Sequence, residues 1–152
     1  MLETGTKYFS THLKVSLLKI NIGGSPLSGF TNLTKEQFNL DTICEAAECT
    51  EIIVENTLEY FPLQEVEVLI NHWVSKLRHG GTLIIVANHL TKICKSYVNK
   101  EINMADANIL LFGGRQSSVD PMEVQTMFTT LGLKVLKCTL DNYRFIVKGQ
   151  RP

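Results

Sequence analysis

The residues best suited to chemistry follow two short apolar runs. Lys14 to Ile22 (KVSLLKINI) is interrupted at once by Gly23-Gly24-Ser25-Pro26. Glycines directly after a strand let a ligand approach the backbone closely, because no Cβ stands in the way. Glu51 to Glu55 (EIIVE) is followed by Asn56-Thr57. In an open parallel sheet the positions beyond strand carboxyl ends are where ligands bind. Glu55 is therefore the candidate proton acceptor, with Glu59 a helical turn further along. His89 follows a third apolar run, Thr82 to Ala87, and is a second candidate base. Cys44, Cys49, Cys94 and Cys138 form no C-x-x-C pair, so the spacing offers no zinc set, and no metal is expected.

These loops need elements to hold them. KVSLLKINI, Phe30 to Leu33, EIIVE and TLIIVA read as strands, short apolar runs bounded by turn residues. Pro62 suits the start of a helix. Val66, Leu69, Ile70, Trp73 and Leu77 then fall on one helical stripe, which Gly80-Gly81 is expected to stop. Thr91 to Val98 and Met104 to Phe112 are candidate helices in a harder segment. Asp120 and Glu123 form an Asp-x-x-Glu capping box for a helix running from Pro121 to Leu131. Leu133 to Leu140 and Tyr143 to Lys148 then flank Asp141-Asn142, a hairpin turn pair.

Strands alternating with helices require a mostly parallel sheet with helices on its faces. Two successive strands at the end require an antiparallel hairpin on its far edge. The expected fold is thus α/β and Rossmann-like, one domain over 14–152 with an N-terminal extension at 1–13. Only a few residues separate the first two strands, too few for a crossover helix. An apolar patch left exposed there would favour a homodimer.

Composition sets the outer bounds. The chain has 152 residues, 44% hydrophobic and 20% charged, with 15 basic and 15 acidic residues. That balance argues against a nucleic-acid partner, and no run approaches the ~20 apolar residues of a membrane span. MLETGTKYFS lacks the pattern of a secretory leader, so a cytoplasmic location is expected. Residues 1–75 hold 4 basic and 10 acidic residues, and no Lys or Arg lies between Lys35 and Lys76. The acidic half could line a site for a cationic ligand, or meet the basic half of another copy.

Taken in order, several segments resemble a compact group of class I S-adenosylmethionine-dependent methyltransferases. They are Lys19 to Pro26 with Ser28 to Leu33, Glu51 to Ile53 with Leu58 to Pro62, Leu77 to Leu83, Leu111 to Gln116, and Met127 to Val135. The group's pattern is LNLGCGP, PGWINVD, LEHFP, LKPGG and LFGGQ. The resemblance implies S-adenosylmethionine as cofactor and a small-molecule or glycan acceptor. It places Gly23, Gly24 and Ser25 around the methionine part, Thr34 at the ribose, and Asn39 and Leu40 at the adenine. Glu55, Asn56 and Thr57 would face the methyl group. This chain departs from the pattern at five points. Ser25 replaces the last glycine, Thr34 replaces a carboxylate, Asn39 stands where Asp is common, and Asn56 and Tyr60 stand where the group often has His. These departures support an alternative, a catalytically inactive methyltransferase-like module for binding or assembly. A nucleotide-dependent dehydrogenase is disfavoured, since no G-x-G-x-x-G opens a helix.

Overall fold

The computed structural model describes residues 18–152. The expected 1–13 extension and the first part of the KVSLLKINI strand, 14–17, lie outside the described residues. Six strands form one sheet in the order β2-β1-β3-β4-β6-β5. The strands are β1 (Leu18–Ile22), β2 (Thr31–Leu33), β3 (Cys49–Glu55), β4 (Leu77–Asn88), β5 (Lys134–Asp141) and β6 (Arg144–Gln150). Strands β2, β1, β3 and β4 are mutually parallel, and β6 and β5 add an antiparallel pair. Among the described residues four α-helices flank the sheet: α1 (Val66–Lys76), α2 (Leu90–Val98), α3 (Met104–Leu111) and α4 (Pro121–Thr130). This is the Rossmann-like, mostly parallel architecture expected. No described helix is long and apolar enough to cross a membrane.

The core lies between α1, α4 and one face of the sheet. Ile20, Ile22, Ile52, Val54, Leu83, Ile85, Phe145 and Val147 point to that face and are all at most 1% exposed. From α1, Ile70 and Trp73 meet them, and from α4, Val124 and Phe128. Close packing of this kind fixes β6 against α4: a Cβ on Gly149 would sit 2.5 Å from the Phe128 ring. The opposite face alternates with it and carries Lys19, Glu51, Ile53, Ile84, Ile146 and Lys148, all partly buried.

Three local features differ from the sequence reading. The helix stops at Lys76, before Gly80-Gly81, because Leu77 turns to an extended conformation and β4 begins there. Gly81 is held by packing instead, with no room for a Cβ between the Arg78 and Cys49 carbonyls, each 2.9 Å away. At α4, Asp120 does cap the helix, but by accepting from the Met122 amide at 2.7 Å rather than through a reciprocal box with Glu123.

Residues 23–30 are all that connects parallel strands β1 and β2. Such connections usually need a dozen residues or more. Paired asparagines make the short link workable. Asn21 and Asn32 are register partners on β1 and β2, and Asn21 Nδ2 donates to Asn32 Oδ1 at 3.0 Å and to the Ser25 carbonyl at 2.9 Å. Asn32 in turn accepts from the Leu27 amide and donates to the carbonyls of Leu27 and Phe30. In this link Leu27 is the exposed large hydrophobic residue, which is too little to form the expected apolar patch.

Candidate active site

A cleft of about 480 Å³ opens beyond the carboxyl ends of β1 and β2. That is within the usual range for small-molecule sites. Gly23, Gly24 and Pro26 line it from the first loop, and Asn32 to Glu36 line it from the end of β2. Asn56 and Tyr60 close it from the far side. Of the residues singled out in the sequence, Gly23, Gly24, Thr34 and Asn56 meet here. Ser25, Asn39, Leu40, Glu55 and Thr57 are not on the cleft lining.

Each of those five has another place. Leu40 is fully buried in the core, and its amide donates to His72 Nε2 at 3.0 Å. Asn39 is exposed and accepts from the Asp41 amide. Ser25 is exposed, and its carbonyl is the acceptor for Asn21. Thr57 is buried, its hydroxyl donating to the Glu55 carbonyl at 2.9 Å. Glu55 is ion-paired with Arg144 of β6, which also holds Asp141 of β5 at 3.0 Å. That pairing ties the Glu55 carboxylate to the β5–β6 hairpin, away from the cleft. His89 is half-buried beside Phe145, outside the cleft.

The glycines have a second role besides openness. Gly23 has φ of +78°, and a Cβ there would strike the Glu55 carbonyl and the Thr57 hydroxyl. A Cβ on Gly24 would lie 2.5 Å from Glu55 Oε2 and 3.1 Å from Asn21 Oδ1. The bend is therefore packed directly on the end of β3, with the cleft on its other side. Asn21 Oδ1 is buried and has no hydrogen-bond partner. It and Glu55 Oε2 lie together beside Gly24, on the packed side of the bend.

Residues not singled out as site residues complete the walls. Lys35 Nζ lies 3.5 Å from the centroid of the Tyr60 ring, a cation–π contact. Glu36 beside it keeps its carboxyl below the ordinary range, through a backbone hydrogen bond and then the Thr34 hydroxyl. Tyr60 belongs to a short turn, Leu58–Tyr60, that a strap over residues 115–117 holds down. The Gln116 and Ser117 amides both donate to the Glu59 carbonyl. Gln116 Nε2 donates to the Tyr60 carbonyl, and Ser117 Oγ to that of Phe61. Beneath the strap, Glu59 Oε2 accepts from Arg115 Nε and from the Asn88 amide, both at 3.2 Å. The Leu-Phe-Gly-Gly-Arg-Gln run thus acts by positioning Tyr60, which only the folded chain reveals. Among the described residues no group of three or more His, Cys, Asp or Glu could hold a metal ion.

No family model and no curated protein matches this chain. Solved structures do. An O-methyltransferase family protein from Burkholderia thailandensis is 15% identical, with a TM-score of 0.57 over 80% of this chain. An O-methyltransferase family 2 protein from Planctomyces limnophilus, in complex with apigenin, is 16% identical, with a TM-score of 0.56 over 81% of this chain. This chain spans only 36% and 35% of those two proteins. Magnesium protoporphyrin IX methyltransferase from Synechocystis, solved with bound S-adenosylhomocysteine, is 14% identical at a TM-score of 0.58. There the match covers 99% of this chain and 81% of the other. At these identities the likeness is one of fold.

Proposed function

We infer that the chain binds S-adenosylmethionine in this cleft and transfers its methyl group to a small molecule or glycan. The observation that carries the reading is the convergence of Gly23, Gly24, Thr34 and Asn56 on one hollow at the carboxyl ends of a methyltransferase-like sheet. The residues suit the group: the glycine backbone at 23 and 24 offers it a close approach. Thr34 offers a hydroxyl to the ribose. S-adenosylmethionine supplies an electrophilic methyl group, so the protein's task is mainly to position an acceptor in line with it. Asn56, held at φ of +48°, and Tyr60 face that position. Neither is a strong base at neutral pH, which favours an acceptor that ionises readily, such as a phenol or carboxylate. A related fold has been solved with apigenin and another with 2-hydroxy-5-methyl naphthoic acid, both phenolic.

The alternative, an inactive binding or assembly module, is favoured by one observation. Arg144 occupies Glu55, and a neutral Thr34 ends β2 where the resemblance expects a carboxylate. Titration calorimetry with S-adenosylhomocysteine separates the two readings. Thr34 is exposed at the head of a short turn, where Asp is equally suited as a cap. Thr34→Asp should therefore fold and tighten binding about tenfold, since a carboxylate accepts two charge-assisted ribose hydrogen bonds. Heat from neither protein would leave the module as the standing interpretation.

A further inference from the structure

Among the described residues the sheet ends at β5, beyond β6. An outer strand presents backbone N–H and C=O groups with no strand to receive them. β5 is eight residues long, while the opposite outer strand, β2, has three. Leu136 and Leu140 on β5 are 44% and 58% exposed. Lysines at 134 and 137 and the bulge at Leu136 are devices that discourage pairing with arbitrary strands. They do not discourage pairing with one particular strand, its own copy.

We propose that β5 pairs antiparallel with β5 of a second copy of this chain, about a two-fold axis at Cys138. Opposite β6, β5 presents seven positions, from Lys134 to Asp141 with Leu136 bulged out. Cys138 is the middle one. Turning this ladder about its middle sets Lys134 against the partner's Asp141 at both ends, so unlike charges meet twice. It also sets Val135 against the partner's Leu140. These two share a face: Val135 pairs with Gly149, which packs on Phe128, and Leu140 pairs with the core residue Phe145. On that same face a groove of about 450 Å³ lies between α4 and β5, lined by Met122, Gln125, Thr126, Thr129, Thr130 and Val135. The partner's Leu140 enters it beside Val135. Moving the axis one position toward Lys134 opposes Lys137 to its own copy. Moving it the other way leaves Lys134 and Val135 unpaired. The self-complementary register is therefore single, as an isologous interface requires.

Light scattering and mild copper–phenanthroline oxidation of the full chain test this. A dimer at micromolar concentration is expected, with a disulfide between the two Cys138 thiols that Cys138→Ser abolishes and Cys94→Ser does not. Leu140→Asp should weaken the dimer about tenfold or more, by replacing an apolar contact against the partner's Val135 with a charge. Should that variant misfold by circular dichroism, the charge pair supplies a second test. Lys134→Asp and Asp141→Lys should each weaken self-association, and the two mixed should recover it as a heterodimer. A monomeric wild type would overturn the proposal. So would a dimer whose Cys138 thiols do not cross-link, or one indifferent to both sets of variants.

Discussion

Glu59 is 1% exposed and carries an ionisable side chain, so its partners decide whether the fold tolerates it. Arg115 and the Asn88 amide share one carboxylate oxygen, and the other has no partner. Removing one member of a buried ion pair leaves an uncompensated charge and costs roughly 3–5 kcal/mol. Arg115→Ala is expected to fall in that range by urea denaturation, and Glu59→Gln/Arg115→Met together to recover most of the loss. His72 is a second residue whose protonation matters. Its Nε2 accepts from the Leu40 amide, which only the neutral ring can do. Burial holds its pKa below the ordinary value; Asp41 opposes that and Lys76 adds to it. A depressed pKa in the fold means the neutral form is favoured there. The contribution is then complete above the ordinary value of about 6.5 and is lost as pH falls through the lower folded value. Melting temperature should therefore fall as pH drops below about 6.5, and fall less in His72→Gln.

At the scale of elements, β6 and α4 are joined by the smallest side chain available. A methyl group at position 149 would meet the Phe128 ring at 2.5 and 2.9 Å and the Leu133 side chain at 3.1 Å. Gly149→Ala is expected to cost about 1–3 kcal/mol by overpacking, despite its better strand propensity, measured as a shift in the urea midpoint. The elements themselves were legible where pattern and burial agree. TLIIVA and the Val66–Trp73 stripe became a buried strand and a buried helix face, because periodicity reports which face is covered. The end of α1 was misplaced because Gly80-Gly81 looks like a helix stop, whereas Gly81 relieves crowding within β4 and Gly80 takes a φ of +78°. The cleft was half legible. Gly23, Gly24, Thr34 and Asn56 adjoin strand ends that the sequence marks. Lys35 over Tyr60 and Arg144 on Glu55 depend on side chains brought together across the sheet, for which no local signal exists.

Across the whole molecule, the four thiols divide by depth. Cys44 and Cys49 are buried 3.6 Å apart, and burial pushes both thiols above their ordinary range. Cys94 and Cys138 are exposed. Since the thiolate is the reactive form, a disulfide reagent should titrate two thiols quickly in the native protein and all four only after denaturation. The short link between β1 and β2 has a consequence of a different kind. Where a helix follows a glycine bend, its first amides and dipole give phosphate a ready anchor. Here residues 23–30 pass straight to the next strand, and two side-chain oxygens lie beside the bend instead. A pyrophosphate group arriving at this bend would find no helix amides there to hold it.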